Sequence, residues 1–297
     1  MTDGAAARVV AVGGGHGCAR TLTALRGLGL APTAVVSVAD DGGSSGRLRR
    51  DHGVVALGDL RAALLALAPA GDRTVMRDLV GHRFGAGDLD GHSLGNLVLL
   101  ARLEARDGDL LAALDDVARL LGVVGRVLPS ATDAVTLVAE TSGGEVRGQA
   151  AVAGTRRIRR VRLEPSEPTA PTAVVDALRT ADLVLLGPGS LFTSLLPNLL
   201  VPGVAAALAA ATARIVLVAN LREQPGETEG MSLVDHVAAL RAHAPDLRVD
   251  AVLADPASPL GAEVPGGPPV VPAALAGRRG ISHDPALLGA ALTDLLG

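Results

Sequence analysis

"RVVAVGGGHGCARTLTALRGL", residues 8–28, and "TAVVSV", residues 33–38, decide the fold between them. The apolar run at 8–12 reads as a buried strand, and the glycines at 13–17 break it. Leu22 and Leu25 then fall on one face of a helix before a second apolar strand begins. Strand, glycine turn, helix and strand at this spacing predict a parallel βαβ unit with a right-handed crossover, the first half of a Rossmann-like sheet.

Working outward, helical periodicity recurs in "GDLRAALLALA", "RTVMRDLVGHRF", "SLGNLVLLARLEARDG" and "DLLAALDDVARLLG". Short strands follow at "VGRVLP", "AVTLVAET" and "EVRGQA", with "SGG" as a hairpin turn; they predict an inserted antiparallel portion. From about residue 171 the α/β rhythm returns, with strands at 182–186, 214–219 and 249–254, a Pro/Gly-rich stretch at 256–269 and a final helix from Pro285. The expected architecture is one α/β domain over residues 1–297. It has a mostly parallel sheet, helices on both faces, and a helical and antiparallel insertion at about 60–170. In such sheets ligands sit beyond the carboxyl ends of the strands, where several loops converge.

Composition excludes several function classes. The chain has 27 basic and 31 acidic side chains and a formal charge of −4, so bulk electrostatics predict neither nucleic acid nor an anionic membrane as partner. Every one of those basic residues is arginine; a Schiff-base lysine and the lysine of a Walker A loop are therefore excluded, while bidentate phosphate recognition is not. Cys18 has no disulfide partner, "MTDGAAARVV" has no secretory pattern, and no apolar run approaches the roughly 20 residues of a membrane helix, which predicts the cytoplasm. "RRIRRVRLEP", without aromatics beside it, reads as a solvated strand face.

The chemistry is expected in the loops. Gly13, Gly14, Gly15, His16 and Gly17 sit between strand and helix, where glycines let backbone approach a phosphate. They are out of register with G-x-G-x-x-G because Cys18 takes the third glycine's place, which weakens an NAD reading. Asp40 ends the second strand where a ribose-binding acid would stand, which keeps NAD among the ligands to test. The adjacent Asp41 suits a magnesium-type oxygen site, and Asp59 is either a further ligand or a helix cap. "GGSSGR" reads either as a mobile loop whose Ser44, Ser45 and Arg47 clasp an anion or, equally, as a solvated turn. "GHSLGN" matches G-x-S-x-G but lacks a preceding strand, so Ser93 reads as a helix cap rather than a nucleophile, with His92 and Asn96 beside an anionic ligand. Gly187, Pro188, Gly189, Ser190 and Thr193 form a second candidate phosphate loop, and Asn220, Gln224 and Glu227 add amides and a carboxylate suited to a base, ribose or sugar.

"VVAVGGGHG", "VVSVADDGGSSGRLRRD", "GDLRAAL", "GHSLGN", "GPGSLFTSLLPNLLV" and "NLREQPGETEG", in this order, resemble the gluconeogenesis factor family of YvcK type, which is related to the 2-phospho-lactate transferases of CofD type. The resemblance implies a cytosolic UDP-sugar-binding protein, with UDP-N-acetylglucosamine or another UDP-sugar as ligand. It implies a role in cell shape and wall synthesis on gluconeogenic carbon through an unidentified protein partner, with homo-oligomerisation left open. The alternative is a magnesium-dependent transferase acting on a nucleoside diphosphate donor and a phospho-hydroxy acid. From the transferase relatives it implies Asp41 and Asp59 as metal ligands, the diphosphate near "GGGHG", and the base and ribose near "GPGS" and "NLREQPGE". The sequence departs from the family pattern at His16, at Arg222 and Glu223, and at Ser282.

Overall fold

The structure is a computed structural model that describes residues 7–69, 71, 74–261 and 263–296. Residues 1–6, read above for a leader, and Arg73, the first residue of one predicted helix, lie outside the described residues. The elements run β1 (Val9–Gly13), α1 (Gly15–Gly27), β2 (Thr33–Val36), α2 (Gly43–His52), α3 (Gly58–Leu67), α4 (Thr74–Gly81), α5 (Leu94–Glu104), α6 (Leu110–Leu121) and β3 (Arg126–Pro129). They continue with β4 (Thr136–Thr141), β5 (Gly144–Arg147), α7 (Gln149–Ala153), β6 (Arg160–Glu164), α8 (Thr172–Thr180) and β7 (Leu183–Leu186). A π-helical turn over Leu191–Leu195 leads into α9 (Leu196–Leu199), α10 (Pro202–Ala209), β8 (Arg214–Val218), α11 (Leu233–His243), β9 (Ala251–Ala254), β10 (Val270–Pro272) and α12 (Pro285–Leu296).

Seven strands form one sheet in the order β10-β9-β8-β7-β1-β2-β3, every pairing parallel. The central strands β1 and β7 are apolar and buried at every position, which requires cover on both faces of the sheet. On α1, Leu22 and Leu25 are fully buried, as their spacing predicts; such burial stabilises by about 1.5–3 kcal/mol per side chain. From β1 the chain builds outward through β2 and β3, then returns to the other side of β1 with β7 and continues outward through β10. That reversal between β1 and β7 opens a crevice at the carboxyl ends of the strands.

Two expectations are corrected. "VGRVLP" is not part of an antiparallel insertion: β3 pairs in parallel with β2, Val35 opposite Leu128, and is the edge of the main sheet. The antiparallel sheet holds only β5, β4 and β6, with the "SGG" hairpin closing at Thr141 and Gly144. "GGSSGR" is not a mobile loop but the start of α2, with Ser44, Ser45 and Gly46 buried. Tertiary packing overrides the weak helix propensity of glycine and serine here: a Cβ on Gly46 would lie 1.8 Å from the carbonyl oxygen of Asp41, and both serine hydroxyls bond to neighbouring elements.

In the small sheet Arg162, the last arginine of the run, pairs with Glu145 and Glu164, and Arg147 also pairs with Glu164; at the run's start Arg156 pairs with Glu229. Among the described residues no single helix is long and apolar enough to cross a membrane. The pair Leu191–Leu199 and Pro202–Ala209 meets the composition only jointly, across a 76° bend.

Candidate functional site

The crevice begins at Gly14, whose extended backbone ends β1 and precedes α1, and at Gly15, held at φ 59°. Gly17 faces the next strand's loop: a Cβ there would lie 2.2 Å from the carbonyl oxygen of Pro188 and 2.8 Å from Cα of Gly189. Glycine at 17 therefore lets "GGGHG" and "GPGS" lie backbone against backbone. Gly17→Ala is expected to cost about 1–3 kcal/mol in urea denaturation, because both obstructing groups are main chain and neither can rotate away.

Asn220, at the end of β8, fixes the second loop. Its Oδ1 accepts from Gly189 N at 3.0 Å and its Nδ2 donates to Gly189 O at 2.8 Å, a two-point grip on one residue. Gln224 donates from Nε2 to Ser190 Oγ at 2.9 Å. Glu227 is buried; it accepts from Phe192 N, Thr193 N and Thr193 Oγ1 and so starts the Leu191–Leu195 turn. Burial pushes its carboxyl above the usual range against those hydrogen bonds. Thr193 and Glu227 thus support the loop from beneath.

In front of these loops lies a cleft of about 460 Å³, walled by His16, Gly17 and Arg20 from α1, Pro188 and Gly189, residues 220–225 after β8, and Ile281, Ser282 and His283. His16 and Arg20 are one helical turn apart and share a face. Sequence reasoning missed Arg20, although its spacing from His16 was a readable signal. It also missed Asp255, whose Oδ2 accepts from Leu275 N and Ala276 N at 2.8 and 2.9 Å and ties down the chain that leads to Ile281. Burial pushes Asp255 upward, but its N–H partners Leu275, Ala257 and Ala276, with His283 nearby, hold the carboxyl below the usual range. His283 in turn contacts Ala219 O through Nε2 at 3.1 Å.

A second group of predicted residues gathers around α2, α3 and α5. Ser44 Oγ accepts from Asn96 Nδ2 at 3.0 Å and lies 3.2 Å from His92 Nδ1; Ser45 Oγ accepts from Gly58 N at 3.1 Å. Ser93 stands at the N-cap position of α5, although its side chain bonds none of the helix's amides. Arg47 donates to Asp90 O.

Asp41 and Asp59, the acids expected as metal ligands, have different surroundings. Asp41 accepts from Gln149 N at 3.1 Å and Ala150 N at 2.8 Å and caps α7. The carboxylate that acts on Asp59 is Asp40. Burial first, and then the charge of Asp40, push Asp59 up to about 6, against an N–H from Gly15 and the charge of Arg61. An oxygen of Asp59 would lie 2.7 Å from a Cβ on Gly14, which places it under the first glycine loop. Among the described residues no three His, Cys, Asp or Glu side chains gather as a metal site. Two neighbouring carboxylates beside a glycine loop have the donor chemistry that suits magnesium, which commonly takes one or two carboxylates and completes its shell with water.

Comparison with known proteins fits this architecture. Residues 9–264 match the family described as 2-phospho-L-lactate transferase CofD. The chain belongs to that family. In this CofD-family chain, 268 residues align at 51% identity with a relative from Mycobacterium tuberculosis, covering 86% of the chain and 76% of the relative. The gluconeogenesis factor of Bacillus subtilis is 41% identical over 80% of the chain and 74% of its own length. A crystal structure of a UPF0052-family protein from Bacillus halodurans superposes with a TM-score of 0.90 at 32% identity, over 98% of this chain and 99% of that one.

Proposed function

We propose that the cleft binds a nucleotide sugar, a UDP-sugar such as UDP-N-acetylglucosamine, and that the protein acts in the cytoplasm as a ligand-responsive gluconeogenesis factor influencing wall synthesis and cell shape through a protein partner. The observation that carries this reading is the cleft itself. It lies at the β1/β7 reversal, its floor is two abutting glycine loops, and its walls carry Arg20 and Arg222. Its size falls within the roughly 300–1,000 Å³ of small-molecule sites, and two arginines offset a diphosphate's charge. With no tyrosine or tryptophan in the chain, the base rests on aliphatic surface, Leu221, Pro225 and Ile281. Asp40 and Asp59 would hold a magnesium ion, which neutralises phosphate charge when bound.

Calorimetry with UDP-N-acetylglucosamine, UDP, GDP and NAD, with and without magnesium, followed by product analysis, tests the proposal. The expected result is saturable binding of the UDP compounds without turnover, weakened about tenfold by Arg20→Gln through loss of a charge-assisted contact. Turnover of the nucleotide in the presence of a phospho-hydroxy acid would instead support the transferase reading, for which the Asp40 and Asp59 pair is the specific observation. Absence of nucleotide binding under every condition overturns both.

A further inference from the structure

The start of α5 gathers three arginines, Arg47, Arg61 and Arg83, around its entry loop and first turn. Arg61 donates from Nε to Asn96 Oδ1 at 3.0 Å, and its Cδ would lie 2.6 Å from a Cβ on Gly95, so the side chain crosses the first turn of the helix. Arg83 donates to Gly91 O and Arg47 to Asp90 O, both on the loop that enters α5. Among the described residues none of these three arginines forms an ion pair with a carboxylate, although eleven ion pairs occur elsewhere. Their charges act on one another and on His92. Burial first, and then Arg83, disfavour the charge on Arg61; burial first, and then Arg47 and Arg83, disfavour that on His92, with Asp59 and Asp51 acting in return.

A second, independent observation points to a ligand. Ser93, at the N-cap position of α5, is 1% exposed, yet its hydroxyl has no hydrogen-bond partner and does not bond the helix's first amides. A buried hydroxyl without a partner costs about 1–3 kcal/mol, and mutually repelling arginines add to that cost. Leu94 N and Asn96 N already donate to His82 O and Ser93 O, so the donors left for an anion at this helix start are the Ser93 hydroxyl and the guanidinium nitrogens that make no bond within the protein, and an anion would answer these together.

We infer that the α5 N-terminus, with Arg47, Arg61, Arg83 and Ser93, is a second anion site that takes the phosphate dianion of a small phosphorylated compound or free phosphate. The inference deepens the nucleotide-sugar reading by naming a second ligand class, and rests on that reading only in holding that both ligands bind together. Three arginine side chains suit a doubly charged phosphoryl group better than a single carboxylate.

The test is titration of the full chain with inorganic phosphate and, separately, with glycerol 3-phosphate, each with and without saturating UDP. Saturable binding of at least one, undiminished by UDP, is expected; the tighter of the two identifies free phosphate or a phosphomonoester as the ligand. Arg83→Gln, an exposed change that leaves folding intact, should weaken phosphate binding about tenfold and leave UDP affinity unchanged. Ser93→Ala should weaken phosphate binding several-fold without lowering the urea midpoint, since the hydroxyl has no partner to lose. No saturable binding, equal affinity in Arg83→Gln, or displacement of phosphate by UDP overturns the inference. Failure of UDP to bind while phosphate still depends on Arg83 removes only the nucleotide reading.

Discussion

Glu227→Ala is expected to lose roughly 3–6 kcal/mol of stability, because it leaves two buried N–H groups and one hydroxyl without an acceptor at about 1–3 kcal/mol each. The three donors, Phe192 N, Thr193 N and Thr193 Oγ1, lie 2.6, 3.1 and 3.0 Å from the carboxylate, and Glu227 is only 3% exposed. Water cannot replace those bonds without opening the loop. Glu227→Gln keeps one oxygen for the two amides and should lose about half as much. Urea denaturation with an unchanged m-value reads the difference as native-state stability. A loss below about 1 kcal/mol in the alanine variant would show that the carboxylate does not hold the turn.

Asp59 gives the largest expected pH effect. Its folded-state pKa of about 6 lies above the ordinary 3.8, so the native state keeps a proton that the unfolded chain has already released. The stability linked to this group is therefore fully present below about pH 4. It is lost as pH rises through about 6, and the loss reaches about 3 kcal/mol at neutral pH as an upper figure. Asp59→Asn removes that loss. Its stability relative to the parent should rise between pH 4 and pH 7, less what the weaker hydrogen bond from Gly15 contributes. Other carboxylates titrate in the opposite sense, Asp182 held down to about 2 by Arg8 among them, so the difference between the two proteins is the informative quantity. Denaturation curves across this range check it. A flat difference would remove the buried pair of acids from the account. Magnesium should lower the parent's transition pH, because a cation beside Asp40 and Asp59 favours both charges.

The first βαβ unit was legible because its signals agree: five buried strand positions, a glycine break, and apolar residues at helical spacing all favour one structure. The glycines and serines after Asp41 misled for the opposite reason. Locally they favour a loop, and only contacts with Gly58 and Asn96, 13 and 52 residues away, make them helical. Strand β3 was recognised but assigned to the wrong sheet, since a four-residue strand does not reveal its neighbour. The same limit governs the acids. Adjacent carboxylates look alike in a sequence, and only the folded chain shows that Asp41 accepts from α7 while Asp40 accepts from Gly42 N and its charge acts on Asp59. Asn220, expected as a ligand group, lines the cleft, and its amide also grips Gly189 and shapes the loop that a ligand would meet.

The pairing of β1 with β7 has a consequence for how the molecule is made. At its base Arg8 meets Asp182 across 174 residues of chain, and at its top Gly17 abuts Pro188. During synthesis the central strand therefore has one neighbour, β2, long before it has the other. The first half of the chain waits with a bare apolar edge until more than half of the polypeptide has emerged. The cleft is among the last features to appear, so ligand binding during translation would report completion of the sheet.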